Sequence, residues 1–240
     1  GLITYMRTDS LNVSAAAQRE SRDYLRERFG KPFVPERPNV YRTRAKGAQE
    51  AHEAIRPTRI IRDPDNLRKL LHSDQFRLYQ LIWQRFAASQ MSNAVYDTMR
   101  VDIAARPEAG KPHYAFRSSA SKIRFAGFLV LYEDTRSDDA AADEDVDLLP
   151  DLTVGEALDL RDLLPEQHVT QPPPRCTEAT LVQQREELGI GRPSTYAPTV
   201  AVIQDREYVT KTDRRLVPTQ TGLAVNDLLV TWFPDIMDPQ

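Results

Sequence analysis

Apolar positions recur at helical spacing in several stretches of the chain and alternate in others, and the two patterns divide it into zones. Over residues 14–29, Ala17, Tyr24, Leu25 and Phe29 form one stripe, Ser14 is placed to cap its start and Gly30 to end it. The spacing predicts a helix with Arg19, Arg22, Arg26 and Arg28 on its wet side or against a nucleic acid. Pro32, Pro35 and Pro38 forbid its continuation, 42–47 reads as a basic loop, and 50–55 as a short helix or turn ended by Pro57. Residues 65–89 carry the strongest helical pattern, through Leu67, Leu70, Leu71, Leu78, Tyr79, Ile82, Trp83 and Phe86. A break is expected at 72–74, where Ser73 can cap a second helix.

From residue 95 the period changes. Met99, Val101 and Ile103 alternate with polar residues as in a half-buried strand, 106–110 reads as a hairpin loop, and 114–116, 123–132 and 157–160 continue the β-character. Pro172-Pro173-Pro174 reads as a linker. Beyond it, Thr177 can cap a helix to Leu188 with Gly189 as its stop, and a second helix runs from Ser194 or Thr195 to Arg206 with Pro198 expected in its first turn. Residues 208–211 and 215–218 flank a hairpin turn, and 222–233 forms a closing helix. The expected fold class is α+β and multidomain: a mainly helical lobe over 1–92, a β-rich segment over 93–172, and a helical, winged-helix-like lobe over 173–240.

Composition narrows this picture. At 240 residues the chain can make one large domain or two to three small ones. Charged residues are 28 %, and no apolar run approaches the roughly 18 residues of a membrane span, so no membrane partner is expected. No secretory leader is read at the start. The one cysteine, Cys176, excludes an internal disulfide framework and a Cys-rich zinc site in this stretch, which suits a reducing cytoplasm.

Net charge is −3, but it is unevenly spread: +6 over residues 1–62, +4 over 63–132, −11 over 133–166 and −2 over 167–240. The acidity is concentrated in the segment 133–166, which includes an Asp/Ala-rich loop at 133–147 that cannot form a core, while the front of the chain is basic. A locally basic surface is what phosphate binding requires; the global charge is a poor guide to it.

The candidate chemistry lies at the start, in Gly1-Leu2-Ile3-Thr4-Tyr5-Met6-Arg7-Thr8-Asp9-Ser10. If residues 2–7 are extended, Tyr5 and Arg7 point the same way. A phenol can act as nucleophile and a guanidinium can hold a phosphate with a planar fork of donors. A free phenol titrates near ~10 and needs a base or positive charge to be activated; Arg7 offers charge but cannot take the proton, so the base is not identified.

This decapeptide resembles the active-site segment of the type IA DNA topoisomerases, and Met6 between the tyrosine and the arginine is most similar to the bacterial topoisomerase I branch of that family. Two further stretches agree in order and spacing. Gln49-Glu50-Ala51-His52-Glu53-Ala54-Ile55-Arg56-Pro57-Thr58 resembles the second central motif. Gly189-Ile190-Gly191-Arg192-Pro193-Ser194-Thr195-Tyr196-Ala197, with Ile203-Gln204-Asp205-Arg206, resembles the C-terminal core motif. Glu207 departs from the pattern, where glycine usually follows the Gln-Asp-Arg triplet, and this bears on the local turn more than on the chemistry.

The resemblance implies a partial type IA core, with the β-rich segment as an antiparallel arch. It implies an ATP-independent enzyme that cuts one DNA strand through a 5′-phosphotyrosyl link to Tyr5, passes the other strand and religates, relaxing negative supercoils. Arg7 is then the phosphate-holding partner of Tyr5, with Asp9, His52 and Arg56 as supporting active-site residues. Arg192, Ser194, Thr195 and Arg206 are the nucleic-acid contacts. Tyr196 can stack on a base, although its helical spacing reads as core.

The partners implied are single-stranded or negatively supercoiled DNA and an N-terminal acidic domain of the same protein, without counterpart in this sequence. Magnesium is implied for the intact enzyme, with ligands outside this chain; no ATP and no zinc are expected, and no metal ligand is assigned here. The setting is cytoplasmic, at the bacterial nucleoid, and the chain alone is expected to be inactive. The alternatives are a non-catalytic single-stranded-DNA-binding or interaction module, and a topoisomerase III-like decatenase, disfavoured because Met6 is more often proline there.

Overall fold

Helices form largely where the 3.6-residue spacing placed them. The structure, a computed structural model, describes residues 1–6, 8, 10–41, 52–105, 113–132 and 149–237. The basic loop at 42–47, the hairpin loop at 106–110 and the acidic loop at 133–147 lie outside the described residues. Helix α1 spans Ala15–Phe29 and buries Ala17, Ser21 and Leu25, the last completely. Gly30 follows at φ +94°, a conformation that ends the helix without a Cβ penalty. Arg22 departs from the expected wet face: its Nη2 donates to the carbonyls of Pro35 (2.7 Å) and Glu36 (3.1 Å), satisfying a loop whose prolines leave carbonyls without a regular ladder.

Helix α2 is a single turn, Pro64–Leu67, capped by Asp63, whose side chain accepts from Asp65 N. Helix α3 spans Ser73–Ser89, so the expected break is found, but it covers 68–72 and Ser73 is the first helical residue and not the cap before it. Tyr79, Trp83, Phe86 and Ala87 form its buried stripe. Leu70 and Leu78 belong to the same sequence pattern but are exposed: Leu70 lies in the turn between α2 and α3, and Leu78, inside α3, is off the buried stripe that its neighbour Tyr79 occupies. Trp83 is 2 % exposed and meets Tyr24 edge to face at 6.2 Å. Burying a side chain of this size contributes about 3 kcal/mol.

Strands β1 (Val95–Ala105) and β2 (Tyr114–Phe125) form one antiparallel ribbon in which Met99 faces Ala120, Val101 faces Ser118 and Ile103 faces Phe116. The expected β-character to residue 132 ends at Phe125. A 3-10 turn, Gly127–Val130, replaces it, with Gly127 at φ +51° and so close to the Ser92 and Asn93 carbonyls that a Cβ would lie 2.5 Å from each. No strand forms at 157–160 either: Leu158 and Leu160 are exposed and have no pairing partner among the described residues, without which a lone strand has nothing to stabilise it.

After the triple proline, α4 (Glu178–Glu187) and α5 (Pro193–Asp205) are followed by the hairpin β3 (Val209–Thr212) and β4 (Arg215–Pro218), then α6 (Gln220–Trp232) and the short α7 (Pro234–Met237). Asp213 and Arg214, at φ +47° and +64°, make the two-residue turn whose twist suits an antiparallel pair. Pro198 sits in the second turn of α5, not the first, because that helix begins at Pro193; its missing N–H leaves the Ser194 carbonyl without its helical donor.

By internal contacts the chain divides into two units. One joins Gly1–Gln18, Val40–Ile82 and Gln171–Gln240; the other joins Arg19–Asn39 and Trp83–Thr170. No helix among the described residues is long and apolar enough to cross a membrane.

Candidate active site and nucleic-acid interface

The first residues of the chain do not form the strand expected of 2–7. They make one isolated antiparallel bridge, Ile3 to Pro57, because their partner among the described residues is a short segment broken by that proline. Around the bridge, Thr58 N donates to Leu2 O (2.9 Å), Thr4 N to Arg56 O (2.9 Å) and Arg56 N to the Thr4 hydroxyl (2.9 Å), which itself donates to Ala54 O (2.8 Å). The same segment also holds residues beyond the motif. Ala54 N donates to Asn12 O (2.8 Å), the buried Ser10 hydroxyl donates to His52 O, and Ser14 N donates to the Glu53 carboxylate (3.1 Å). Residues 52–58 are therefore hydrogen-bonded on two sides, and they form no helix but bend at Ile55 and Thr58.

Tyr5 stands next to this seam with 79 % of its surface exposed. Arg7 and Asp9 lie outside the described residues. His52 is half-buried, and its carbonyl secures Ser10.

Arg56 is turned inward. Its Nε and Nη2 both lie 2.9 Å from Glu53 Oε1, its Nη1 donates to Pro57 O, and its side chain is 12 % exposed. Burial pushes the Glu53 carboxyl pKa up, but the bonds from Arg56 and from Ser14 outweigh it and leave the group below its usual value of 4.5. A carboxylate on Ser14 N also lies at the start of α1, where the helix dipole favours negative charge.

The second set of candidate residues lies on α5. Arg192 is its N-cap and Arg206 its C-cap, so the two bracket a helix of 13 residues, about 20 Å of axis. Both are exposed, as are Ser194 and Thr195. Thr195 reaches back: its hydroxyl accepts from Arg192 N (3.0 Å) and donates to Arg192 O (3.0 Å). Because a guanidinium cannot accept, this is half of a reciprocal cap, and the Arg192 side chain turns its Nη1 to Gly191 O at 3.2 Å.

Tyr196 is buried beneath Arg185, whose guanidinium carbon lies 5.5 Å above its ring, so it packs as its spacing indicated. Arg185 fills the room left by Gly191, where an added Cβ would meet its Nη2 at 2.8 Å.

Several residues that hold these sites were not singled out in the sequence. Thr4 and Glu53 lie inside the motifs, but only folding shows that they bind each other's segment. Glu178 accepts from Gln204 (2.9 Å) and from Lys211 (2.6 Å), tying the start of α4 to the end of α5 and to β3. The bond from Lys211, then that from Gln204, holds its carboxyl below the usual range. Glu178 in the first turn after a threonine cap was the available signal; its distant partners left none.

Two comparisons with known proteins bear on these sites. A family model for DNA topoisomerases matches residues 1–240. The solved structure of full-length topoisomerase I from Thermotoga maritima is similar over 99 % of this chain, with a TM-score of 0.74 and 35 % identity, and the chain covers 36 % of that protein.

Proposed function

The chain belongs to the DNA topoisomerase family, in its type IA class, and from that membership we propose that it supplies the nucleophile and part of the DNA-binding surface of a bacterial topoisomerase I. The observation that carries the reading is the setting of Tyr5, exposed next to a seam that fixes the backbone of Thr4 directly before it. An exposed phenol can reach a backbone phosphate, while the fixed main chain limits the disorder it must lose on reacting.

In the proposed step the Tyr5 oxygen attacks the phosphorus of a DNA phosphodiester. The bond to the 3′-oxygen breaks, the phosphate stays on the 5′ side joined to tyrosine, and the 3′-oxygen leaves as a hydroxyl while tyrosine gives up its proton. The reverse attack by that hydroxyl reseals the strand. The bond energy is kept in the phosphotyrosyl link, so no ATP is consumed. Arg7 pairs with the phosphate, and Asp9 and His52 support the site.

The guanidinium of Arg56 is engaged with Glu53, so its part is to shape the seam. Arg192, Ser194, Thr195 and Arg206 hold the strand along α5, as phosphate contacts that position it without reading its sequence.

Among the described residues no three His, Cys, Asp or Glu are grouped to hold a metal ion. The magnesium of the intact enzyme is proposed to take its ligands from outside these 240 residues. With 36 % of the length of the Thermotoga maritima protein matched, the 240 residues alone are proposed not to relax DNA.

The test is Tyr5→Phe in the full-length protein. Covalent capture of a 5′-phosphate is expected to vanish while non-covalent binding of single-stranded DNA persists. Surviving capture would remove Tyr5 as nucleophile. A parent protein that binds DNA but never captures it would favour the non-catalytic binding module.

A further inference from the structure

We infer that Thr4 is a positioning residue for Tyr5, working as one jaw of a clamp whose other jaw is Glu53. This rests on reading Tyr5 as the nucleophile. Residues 52–56 hold the tyrosine segment at both ends. On the near side, the Thr4 hydroxyl donates to Ala54 O and accepts from Arg56 N, while Thr4 N donates to Arg56 O. On the far side, Ala54 N donates to Asn12 O, Ser10 donates to His52 O, and Glu53 receives Ser14 N.

Ala54 is bonded on both sides, its carbonyl to Thr4 and its N–H to Asn12. Thr4, directly before Tyr5, and Ser10, Asn12 and Ser14, beyond it, are consequently anchored on one short segment. Arg56 links the jaws: its backbone brackets Thr4, and its guanidinium grips Glu53 through two nitrogens at 2.9 Å. Glu53 in turn fixes the start of α1, so the seam is referred to a rigid element.

The Thr4 side chain is suited to this role because one hydroxyl both donates and accepts, which an isosteric valine cannot do. Without it, Ala54 O and Arg56 N lose a half-buried partner, and the residue directly before Tyr5 gains freedom. A displacement of about 1 Å at a reacting atom can slow a reaction about a hundredfold without touching the chemistry. Binding through α5 does not pass through this seam. The clamp is thereby expected to act on the rate of capture and not on affinity.

The experiment compares Thr4→Val, Thr4→Ser and Tyr5→Phe in the full-length protein, using a single-stranded oligonucleotide labelled on its 3′ side. Single-turnover covalent capture, the non-covalent Kd and the melting temperature are measured for each. Thr4→Val is expected to capture at least about tenfold more slowly with Kd within about twofold of the parent, and Thr4→Ser to recover most of the rate. Parental capture by Thr4→Val overturns the inference. So does a capture deficit matched by an equal loss of affinity, which marks a general structural role. Should Thr4→Val not fold, Glu53→Gln at the other jaw carries the same test, with a smaller slowing and unchanged Kd. If Tyr5→Phe still captures, the reading of Tyr5 has failed; if Tyr5→Phe is inert and Thr4→Val is unimpaired, only the clamp has.

Discussion

Gly189 and Glu207 occupy the same position at the ends of successive helices, with φ of +72° and +54°. After α4, Gly189 N donates to Glu186 O and Ile190 N to Arg185 O; after α5, Glu207 N donates to Gln204 O and Tyr208 N to Ile203 O. The paired bonds define the same left-handed stop, one made with glycine and the other with a residue that has a Cβ. Glu207 stands where the resemblance led to an expected glycine, and its backbone has the left-handed conformation that glycine favours. The bonds of Thr219 to the carbonyls of Glu207 (2.6 Å) and Tyr208 hold it there.

Glu207→Gly is therefore expected to stabilise the protein. The left-handed conformation costs a non-glycine residue about 1–2 kcal/mol, and glycine's greater freedom in the unfolded chain returns about 0.5–1 kcal/mol of that, leaving a gain of about 0.5 kcal/mol. Gly189→Ala, the reverse exchange, should lose about 0.5 kcal/mol by the same balance. Urea denaturation of both variants beside Glu207→Ala, which keeps the Cβ and should gain nothing from this source, measures the effect. Equal stability of Glu207→Gly and Glu207→Ala would show that the position carries no strain.

What was legible in the sequence was whatever local rules decide. The stop of α1 at Gly30, the break before Ser73, the Thr177 cap and the hairpin around Asp213 each depend on a few neighbouring residues, and each is found. The readings that failed depend on distant partners. Residues 2–7 and 157–160 have strand composition, yet a strand needs a neighbour. The former finds only Pro57 and its surroundings, and the latter finds none among the described residues. Arg22 reads as solvated on a helical wheel and is instead used by a proline-rich loop that leaves carbonyls unsatisfied.

The candidate site was legible as motifs but not as geometry. Nothing in the string around His52 says that Ala54 bonds to both Thr4 and Asn12, or that Arg56 spends its guanidinium on Glu53. Those facts follow from pairing two segments some fifty residues apart.

Glu53 gives the protein a pH dependence of defined sign. Its carboxyl is held below the usual 4.5 in the folded state, so folding is favoured more when the group is ionised. The contribution is complete above about pH 4.5 and is lost as pH falls through the lower, folded value. Glu53→Gln should cost up to about 1 kcal/mol at pH 7, reduced because the side chain is about one-third exposed. The variant should also lose less stability than the parent on going from pH 5 to pH 3.5. Denaturation at those three pH values measures it, and parallel pH profiles would remove the Glu53–Arg56 pair as the cause.

Gly222 is required for a different reason than Gly189. Its φ is ordinary, but a Cβ built there would lie 2.1 Å from the carbonyl oxygen of Tyr208 and 2.9 Å from its carbon. The first turn of α6 is pressed against the end of α5 and the start of β3, with Gly222 N capped by Thr219 at 3.0 Å. Because the obstacle is backbone, Gly222→Ala must move the helix, at a cost of about 2–3 kcal/mol. A melting temperature within about 1 °C of the parent would contradict the close approach.

Arg192 and Arg206 make the last prediction, because they stand at opposite ends of one helix and differ in how free they are. Arg206 makes no side-chain hydrogen bond or ion pair among the described residues, whereas Arg192 Nη1 is held by Gly191 O. If both contact phosphates of one strand, each substitution by alanine removes one released counterion. The slope of log K against log salt should then fall by about 0.7 for each, and by about twice that in the double variant. Affinity should drop by a similar factor for every oligonucleotide sequence tested, since phosphate contacts carry no sequence information. Fluorescence anisotropy of the full-length protein with single-stranded oligonucleotides, titrated at several salt concentrations, reads both quantities. A variant that loses affinity without a change of slope would place that arginine in shaping the ends of α5, as Thr195 does, and not on the DNA.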